Sequence, residues 1–370
     1  MHIQPMLTRN DTDQFLRMQT DLKLGLPILV SGKLNIYIIF ATESITKDNF
    51  VFFMNLRSGK PIICVTARRA RTLKARVYDE NICRIEIPGD SDLDWIKATA
   101  DPLLDLQKPM KGPYKSMRDE DSNIARLAID WCKRAKLIPS AVIRKINKKQ
   151  AKELKEKNQI LSTDYNSISL SQTPILLRES ATARIPIRGL VAQMRVFQVV
   201  NDNLEHCALE FGNPDRKKPV LTRVHSACFT GDILGSQKCD CGTQLSKAIE
   251  AITSKQEGLM LYLNQEGRGI GLVNKIKAYN LQEQGFDTVE ANHRLGFEDE
   301  ERDFQVASEI LLYLGFSSAR LLTNNPKKVK IMESAGINVV ERVSLLTEPN
   351  ASNLNYLQTK AKKSGHLFNS

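Results

Sequence analysis

Apolar positions in this chain fall into short runs separated by polar segments, a pattern typical of alternating strands and helices. In the first half, apolar runs predict strands at residues 27–30, 36–40 and 61–65. Segments with helical spacing predict helices at 122–136 and 148–157. A polar stretch over 162–173 then interrupts the pattern.

The second half repeats this alternation. Strands are predicted at 181–187, 193–200, 207–212, 220–225, 258–263 and 319–323, and helices at 245–254, 275–284, 304–314 and 327–334. We therefore predict an α/β (α+β) protein with two domains, each a mixed sheet with flanking helices. The domains are expected at 1–172 and 173–370, with the boundary between about Asp164 and Thr182.

Length and composition narrow the class of protein. The chain has 370 residues, enough for two cores, and 42% hydrophobic with 26% charged residues is ordinary for a globular protein. No apolar run reaches the length of a membrane span, and the N-terminus lacks the layout of a secretory signal. Seven cysteines, an odd number with three clustered, favour the reducing cytoplasm over a disulfide framework.

The net charge of +11 raises the question of a nucleic-acid partner. The most basic stretch, residues 144–157, has no aromatic side chain on which bases could stack. From Glu153 onward its lysines alternate with acids, as on a solvated helix face. We expect no nucleic acid and no membrane among the partners; a polyphosphate substrate suits the charge equally well.

Three cysteines, Cys228, Cys239 and Cys241, lie within fourteen residues. Three thiolates without a fourth nearby suggest a metal site with an open coordination position, as catalytic sites have. The alternative is three small residues packed in a core. The surrounding Gly-rich, polar sequence argues for the metal.

A glycine-rich segment, residues 265–271, follows a predicted strand and precedes a predicted helix. Its glycine spacing does not fit a dinucleotide-binding turn. The glycines would allow backbone to approach phosphates closely, with Arg268 as a fork of donors. An ordinary turn with a surface arginine explains the motif equally well, and both interpretations stay open.

Three further features have plain structural explanations. The charged run 298–303 is predicted to be a capped helix start with acids in its first turn. Residues 323–328 combine a hydroxyl, amides and lysines at a helix start, which suits a phosphate or a simple capped turn. Tyr279 is by default a packing residue.

Taken in order, these segments closely resemble GTP cyclohydrolase II, the first enzyme of riboflavin biosynthesis. The similarity covers about Ala181 to Asn369. It includes Arg-Val-His-Ser-x-Cys, Thr-Gly-Asp, Cys-Asp-Cys-Gly-x-Gln-Leu, Gln-Glu-Gly-Arg, Asp-Thr-Val-Glu-Ala-Asn, Glu-Arg-Asp-Phe, Leu-Leu-Thr-Asn-Asn-Pro-Lys-Lys and Lys-x-x-x-x-Gly-His-Leu.

The resemblance implies a role for each matching residue. One Zn²⁺ per subunit would be bound by Cys228, Cys239 and Cys241. The catalytic residues would be Glu300 as proton acceptor, Arg302 as nucleophile at the α-phosphate, and Tyr279 in opening the purine. The residues implied in GTP binding are Arg223, Val224, His225, Ser226, Ala227, Gln244, Glu266, Gly267, Arg268, Thr288, Thr323 and Lys328.

The implied reaction is chemically coherent with these residues. Zinc would polarise water for attack at C8 of guanine, and a second hydrolysis would release that carbon as formate. Diphosphate would leave separately, with Mg²⁺ on the GTP phosphates. Gln244 carries a donor and an acceptor, which suits it to read the guanine edge. The family also implies a homodimer.

Two positions depart from the family pattern. Ala227 stands where a glutamate commonly precedes the first zinc cysteine, and Glu300 stands where an aspartate is common. A carboxylate longer by one methylene changes reach, to which catalysis is sensitive. The alternative is therefore a catalytically weakened GTP-binding paralogue.

The first half resembles 3,4-dihydroxy-2-butanone 4-phosphate synthase in residues 41–50 and 53–64, and from Ile129 to residue 143. The segments that carry that family's chemistry are replaced. Ser31-Gly-Lys-Leu-Asn stands in place of an acidic loop, Asn123-Ile-Ala-Arg in place of Gly-His-Thr-Glu, and Lys145 in place of a glutamate. Because Mg²⁺ needs oxygen ligands, we predict an inactive domain rather than a bifunctional enzyme.

Overall fold

The computed structural model describes residues 11–32, 34–118, 122–165, 175–199 and 204–345. These residues form two compact units. The first unit holds the described residues up to 165, together with Lys277–Gln284 and Glu290–Glu298. The second holds 175–276, Gly285–Val289 and 299–345. The closing motif 360–367 and residues 166–174 of the predicted boundary stretch lie outside the described residues.

The first unit is built on a mixed sheet. Its strands are β1 (Ile28–Ser31), β2 (Ile36–Ala41), β3 (Ile62–Thr66), β4 (Ile82–Glu86), β5 (Ser140–Ile146) and β6 (Ser162–Asp164), in the order β4-β3-β5-β2-β1-β6. Strands β1 and β6 are parallel, and the other neighbours are antiparallel. The helices along this part of the chain are α1 (Asp11–Lys23), α2 (Lys47–Asn55), α3 (Ala67–Thr72), α4 (Leu93–Ala100), α5 (Asn123–Arg134) and α6 (Lys148–Lys157).

Strand β2 shows why this sheet is covered on both faces. Successive side chains of a strand point to opposite faces. Ile38 and Phe40 enter one buried apolar cluster, while Ile39 and Ala41 enter another. A strand apolar on both faces reads as a continuous run, which is what the sequence has at this position.

The second unit is built on a second mixed sheet. Its strands are β7 (Leu177–Ile187), β8 (Leu190–Val199), β9 (Glu205–Phe211), β10 (Val220–Ser226), β11 (Gly258–Leu263), β12 (Ser318–Leu322) and β13 (Asn338–Val343), in the order β13-β12-β10-β11-β9-β8-β7. Strands β13, β12, β10 and β11 run parallel, whereas β9, β8 and β7 are antiparallel to their neighbours. Two mixed sheets with flanking helices confirm the predicted fold class.

The α-helices described in this half of the chain lie between its strands in sequence. They are α7 (Phe229–Asp232), α8 (Cys241–Ser254), α9 (Leu272–Glu283), α10 (Thr288–Leu295), α11 (Gln305–Tyr313) and α12 (Pro326–Ser334). Leu259, Leu261 and Leu263 of β11 join one buried cluster and Met260 joins the other, so both faces of this sheet are also covered.

Several short elements were not predicted. In the first half these are α1 to α4, β4 and β6, and in the second half α7, α10 and β13. Three of the missed helices carry a recognisable start signal, because the side chains of Thr46, Thr66 and Asp92 each accept a hydrogen bond from the first turn. Within the described part of the chain, no helix is both long and apolar enough to span a membrane.

Candidate active site

The candidate site lies at the carboxyl ends of parallel strands β10, β11 and β12. Each strand ends in a segment that the sequence singled out: Cys228 follows β10, Glu266 follows β11, and Thr323 follows β12. Ligands in open α/β sheets bind at this edge because loops and helix starts converge there. The order of strands therefore brings together motifs that are distant in sequence.

The three cysteines of the second unit form one cluster. Their sulfur atoms all lie within 4.8 Å of one another, and Cys228 Sγ is 3.6 Å from Cys239 Sγ. Thiolates bound tetrahedrally to zinc at about 2.3 Å are separated by roughly 3.8 Å. The cluster could therefore hold a metal ion. Hydrogen bonds from the Cys239 and Cys241 thiols, and the nearby Lys275 ammonium, lower the pKa of Cys228, which favours the ligating thiolate.

Burial of the cluster differs from what the sequence context suggested. The polar, Gly-rich setting argued against a packed position, yet Cys228 and Cys239 are buried. Two glycines make this close packing possible. A Cβ on Gly231 would lie 2.9 Å from Cys239 Sγ and 3.0 Å from Cys228 Sγ, and one on Gly242 would lie 2.2 Å from the Gly231 carbonyl oxygen. Only glycine lets the two cysteine-bearing segments approach this closely.

Asp232 organises the segment around Cys228, a role that sequence reasoning missed. Its buried carboxylate accepts hydrogen bonds from His225 Nε2 at 3.0 Å, the Cys228 amide at 3.0 Å and the Tyr262 hydroxyl at 3.0 Å. Burial lowers the pKa of His225, against the opposing effect of Asp232, so the ring is neutral and donates through Nε2. The signal in the sequence was Thr-Gly-Asp, whose acid stands one helical turn after the first cysteine.

Glu266 connects the turn after β11 to the cysteine segment. Its carboxylate accepts the Phe229 amide at 2.6 Å, the Gly267 amide at 2.9 Å and the Lys275 ammonium at 2.8 Å. Protein groups thus fix its orientation. A direct contact of Glu266 with GTP stays a prediction.

The glycine-rich turn has a packing function that the sequence did not reveal. Gly267 and Arg268 adopt φ of 64° and 62°, a left-handed conformation that is uncommon for arginine. A Cβ on Gly269 would lie 2.4 Å from the carbonyl oxygen of Glu301. The Glu301 amide also donates to the Arg268 carbonyl at 3.2 Å. This glycine is therefore required where the loop carrying Glu300 and Arg302 packs against the turn.

The prediction of a helix start with acids in its first turn was wrong. Residues 299–304 form a loop, and α11 begins only at Gln305 with no acid in its first turn. The tertiary contact of this loop with the Arg268 turn overrides the local capping pattern. Glu300 pairs instead with Arg302, whose Nε donates to Glu300 Oε1 at 2.5 Å. Burial would raise the pKa of Glu300, but the Arg302 and Arg268 guanidiniums lower it below its usual value, so Glu300 is ionised at neutral pH.

Arg223 and Gln244 form a buried polar chain. Arg223 donates to the Leu322 carbonyl at 2.9 Å and to Gln244 Oε1 at 2.8 Å, while Gln244 Nε2 donates to Asp240 Oδ2 at 2.6 Å. Burial lowers the pKa of Arg223 to about 10, which leaves it charged. Both ends of the Gln244 amide have protein partners, so reading a guanine edge would require one of them to be exchanged.

The segment after β12 mixes structural and charged groups. Asn325 caps α12, because its side-chain Oδ1 accepts a hydrogen bond from the Lys327 backbone amide at 3.0 Å. The Asn325 backbone amide donates to Thr323 Oγ1 at 3.1 Å. This supports the capped-turn interpretation for the asparagines. Lys328 donates to the Val224 carbonyl at 3.1 Å and lies 4.8 Å above the Phe304 ring. Arg302 lies 4.9 Å from the centre of the same ring, so both cations lie against Phe304.

The remaining predicted residues occupy separate positions. Val224 and Ser226 lie on β10, and the Ala227 amide donates to the Leu263 carbonyl at 2.8 Å. Thr288 starts α10 in the second unit. Tyr279 lies on the part of α9 that belongs to the first unit, and its role stays a prediction.

The chain is similar in sequence to proteins of one known family. Residues 178–344 match the family model described as GTP cyclohydrolase II. A protein from Azospirillum brasilense named GTP cyclohydrolase-2 is 38% identical over 333 residues, covering 89% of this chain and 86% of the relative. One of the same name from Neisseria gonorrhoeae is 53% identical over 193 residues, which cover 52% of this chain and 98% of the relative.

Among solved structures, a two-domain 3,4-dihydroxy-2-butanone 4-phosphate synthase from A. baumannii is 12% identical, with a TM-score of 0.32. It covers 90% of this chain and 99% of its own. A likeness this low has no bearing on the function of either unit.

Fold and site together define an α/β enzyme with a cluster of three cysteines, able to hold a metal ion, at the edge of its parallel strands. More particularly, the chain belongs to the GTP cyclohydrolase II family.

Proposed function

We propose that this protein is a zinc-dependent GTP cyclohydrolase II, acting at the first step of riboflavin biosynthesis. The reaction converts GTP to 2,5-diamino-6-(5-phosphoribosylamino)pyrimidin-4(3H)-one, formate and diphosphate. The observation that carries this proposal is the thiol cluster of Cys228, Cys239 and Cys241, which lies in the same unit as the cationic side chains of Arg223, Arg302 and Lys328. Relatives named GTP cyclohydrolase-2 support it over most of the chain.

The three cysteines are the residues that would hold zinc. When bound, zinc supplies the Lewis acidity that activates water for hydrolysis at the guanine ring. Three thiolates leave one coordination position open for water or substrate, whereas a structural zinc site has four protein ligands and no open position. Within the described part of the chain, these cysteines form the one group of three or more side chains placed to bind a metal. Because Mg²⁺ prefers oxygen ligands, it would take them from the GTP phosphates.

Charged side chains of the site suit the phosphate end of GTP. Arg223 stays charged although buried, and Lys328 and Arg302 flank the Phe304 ring. The carboxylate of Glu300 is ionised and holds Arg302 through two hydrogen bonds. In the proposed reaction Glu300 accepts a proton from the Arg302 guanidinium, a nitrogen of Arg302 bonds to the α-phosphorus, and the bond from that phosphorus to the departing diphosphate breaks. Tyr279 would assist in opening the purine.

The decisive test measures formate released from GTP by the purified protein. We expect Cys228→Ser to lose both zinc and formate release, because two thiolates hold zinc far more weakly than three. Cys207→Ser is the matched control, since Cys207 is a half-buried thiol on β9 outside the cluster. It should retain zinc and activity.

The weakened paralogue is the second candidate, favoured by Ala227 and Glu300. It predicts wild-type protein that binds zinc and GTP but releases no formate, an outcome that would overturn the enzyme proposal. Glu300 nevertheless reaches Arg302 in the structure, which supports the active enzyme.

For the first unit we propose a fold without synthase activity. Its Glu43 and Asp101 are carboxylates that could serve a cation, but Lys277 Nζ lies 2.7 Å from Glu43 Oε1 and 3.1 Å from Asp101 Oδ2. A lysine ammonium thus takes the place between them. We also propose that the protein is cytoplasmic and forms a homodimer. A light-scattering mass measurement tests the dimer directly.

A further inference from the structure

Lys275 is a buried lysine beside the thiol cluster, and the proposed reaction gives this lysine no role. It lies on the first turn of α9, in the second unit, with 8% of its surface exposed. Its Nζ is 3.1 Å from Cys228 Sγ and 2.8 Å from Glu266 Oε1. A buried ammonium is costly unless anions compensate it, and here a thiolate and a carboxylate do so.

The glycine-rich turn makes room for this side chain. A Cβ on Gly267 would lie 3.0 Å from the Cβ of Lys275, so the absence of a side chain at 267 lets the lysine stem pass. The Lys275 amide donates to the Gly271 carbonyl at 3.1 Å, which starts α9 in the required direction. Backbone geometry of the turn thus aims Lys275 at the cysteines.

The contacts of Lys275 also close a ring around Cys228. Glu266 Oε1 accepts from Lys275, and Glu266 Oε2 accepts from the amide of Phe229, the residue after Cys228. The Lys275–Glu266 ion pair therefore contacts both the sulfur of Cys228 and the backbone amide of the next residue. A lysine that only anchored α9 would need the carboxylate but not the sulfur.

We propose that Lys275 is a positioning residue of the metal centre, donating a hydrogen bond to the Cys228 thiolate and compensating the charge of the thiolate cluster. Three thiolates around a divalent cation leave a net negative charge, which the ammonium shared with Glu266 partly offsets. A hydrogen bond to a ligand sulfur also reduces electron donation to the metal, so the metal remains a stronger Lewis acid. This inference rests on the proposed zinc site and extends it to a residue outside the ligand set.

The test compares Lys275→Met, Lys275→Gln and Lys275→Arg in the full chain. Lys277→Met is the matched control, because Lys277 is a paired lysine two residues along the same helix whose partners are Glu43 and Asp101. Zinc affinity is measured by chelator competition. The sulfur-to-cobalt charge-transfer band is measured in Co²⁺-substituted protein, and circular dichroism verifies folding.

We expect Lys275→Met to bind zinc about 10–100-fold more weakly, the usual effect of removing an outer-shell partner. Its charge-transfer band should move to longer wavelength because the thiolate becomes more electron-rich. Lys275→Arg, which keeps the charge and the donors, should restore most of both properties. Lys277→Met should match wild type in both.

Two results would overturn the inference. If Lys275→Met binds zinc with wild-type affinity and an unchanged band, Lys275 serves only to anchor α9. If Lys275→Met does not fold, wild-type zinc affinity together with an unchanged band in Lys275→Gln, which keeps a donor but removes the charge, would overturn the charge compensation. Wild-type protein without stoichiometric zinc would instead overturn the proposed function, and this inference with it, so the two failures are distinguishable.

Discussion

Single buried polar residues set much of the chemistry of this molecule. His206 on β9 is fully buried, its Nδ1 accepts the Asn264 amide at 3.1 Å, and its Nε2 has no hydrogen-bond partner among the described residues. Burial lowers the pKa of His206 to about 4. The imidazole is therefore neutral in the folded protein at a pH where it is protonated in the unfolded chain.

This difference predicts a pH-dependent loss of stability. The contribution of His206 is fully present above its unfolded pKa of about 6.5 and is lost as the pH falls from there to about 4, with a slope near 1.4 kcal/mol per pH unit. His206→Asn keeps an acceptor for the Asn264 amide but does not titrate. In urea unfolding at pH 8, 6 and 5, the free energy of unfolding of the variant should increase relative to that of wild type as the pH falls. A constant difference would contradict the assignment.

At the scale of elements, the site depends on two turns packed against each other. The turn after β11, residues 266–269, and the loop 299–302 meet where Gly269 has no side chain. That contact, together with the hydrogen bond from the Glu301 amide to Arg268, keeps Glu300 and Arg302 out of α11. The loop conformation is thus a property of the pair of turns.

Gly269→Ala should separate the two turns and disable the enzyme. Its added Cβ meets the Glu301 carbonyl at 2.4 Å, and displacement of the proposed catalytic groups Glu300 and Arg302 by about 1 Å would lower the rate by about 100-fold. Gly336→Ala is the matched control, because Gly336 has nearly the same φ, 90° against 92°, with nothing within 4 Å of an added Cβ. It should lose only about 1 kcal/mol of unfolding free energy and keep its formate release. Equal activity losses in both variants would show that backbone strain alone is responsible.

At the scale of the whole molecule, the first unit is not a simple N-terminal half. It also includes Lys277–Gln284 and Glu290–Glu298, from far along the chain. Lys277 pairs there with Glu43 and Asp101, and Arg68 Nε donates to Glu298 Oε2 at 2.7 Å. These ion pairs tie the α9 and α10 segments to the first unit.

This arrangement predicts that the first unit makes no product of its own. The full chain incubated with ribulose 5-phosphate and Mg²⁺ should yield no dihydroxybutanone phosphate, because a lysine occupies the space between the acids and hard cations require oxygen ligands. Formate release from GTP in the same sample is the positive control. Detection of dihydroxybutanone phosphate would establish a bifunctional enzyme.

The sequence by itself determined the fold class and the candidate ligands. Strands such as β2 and β11 are recognised from local apolar runs, because a strand buried on both faces needs nearly every side chain apolar. The clustered cysteines are recognised from spacing, since residues close in sequence cannot lie far apart. The capping residue Thr46 at the start of α2 is an equally local signal in the sequence.

Only the tertiary structure decided which residues act together. Asp232 accepts hydrogen bonds from His225 and Tyr262, and Lys275 contacts Cys228, which lies 47 residues earlier in the sequence. Strand order and turn geometry bring these segments to one edge of the second sheet. The same cause overrode the helix predicted around Glu300, where packing against Gly269 outweighs the local capping pattern. Local patterns encode elements, whereas the partners of a buried charge depend on contacts between segments distant in sequence, and no single segment encodes those.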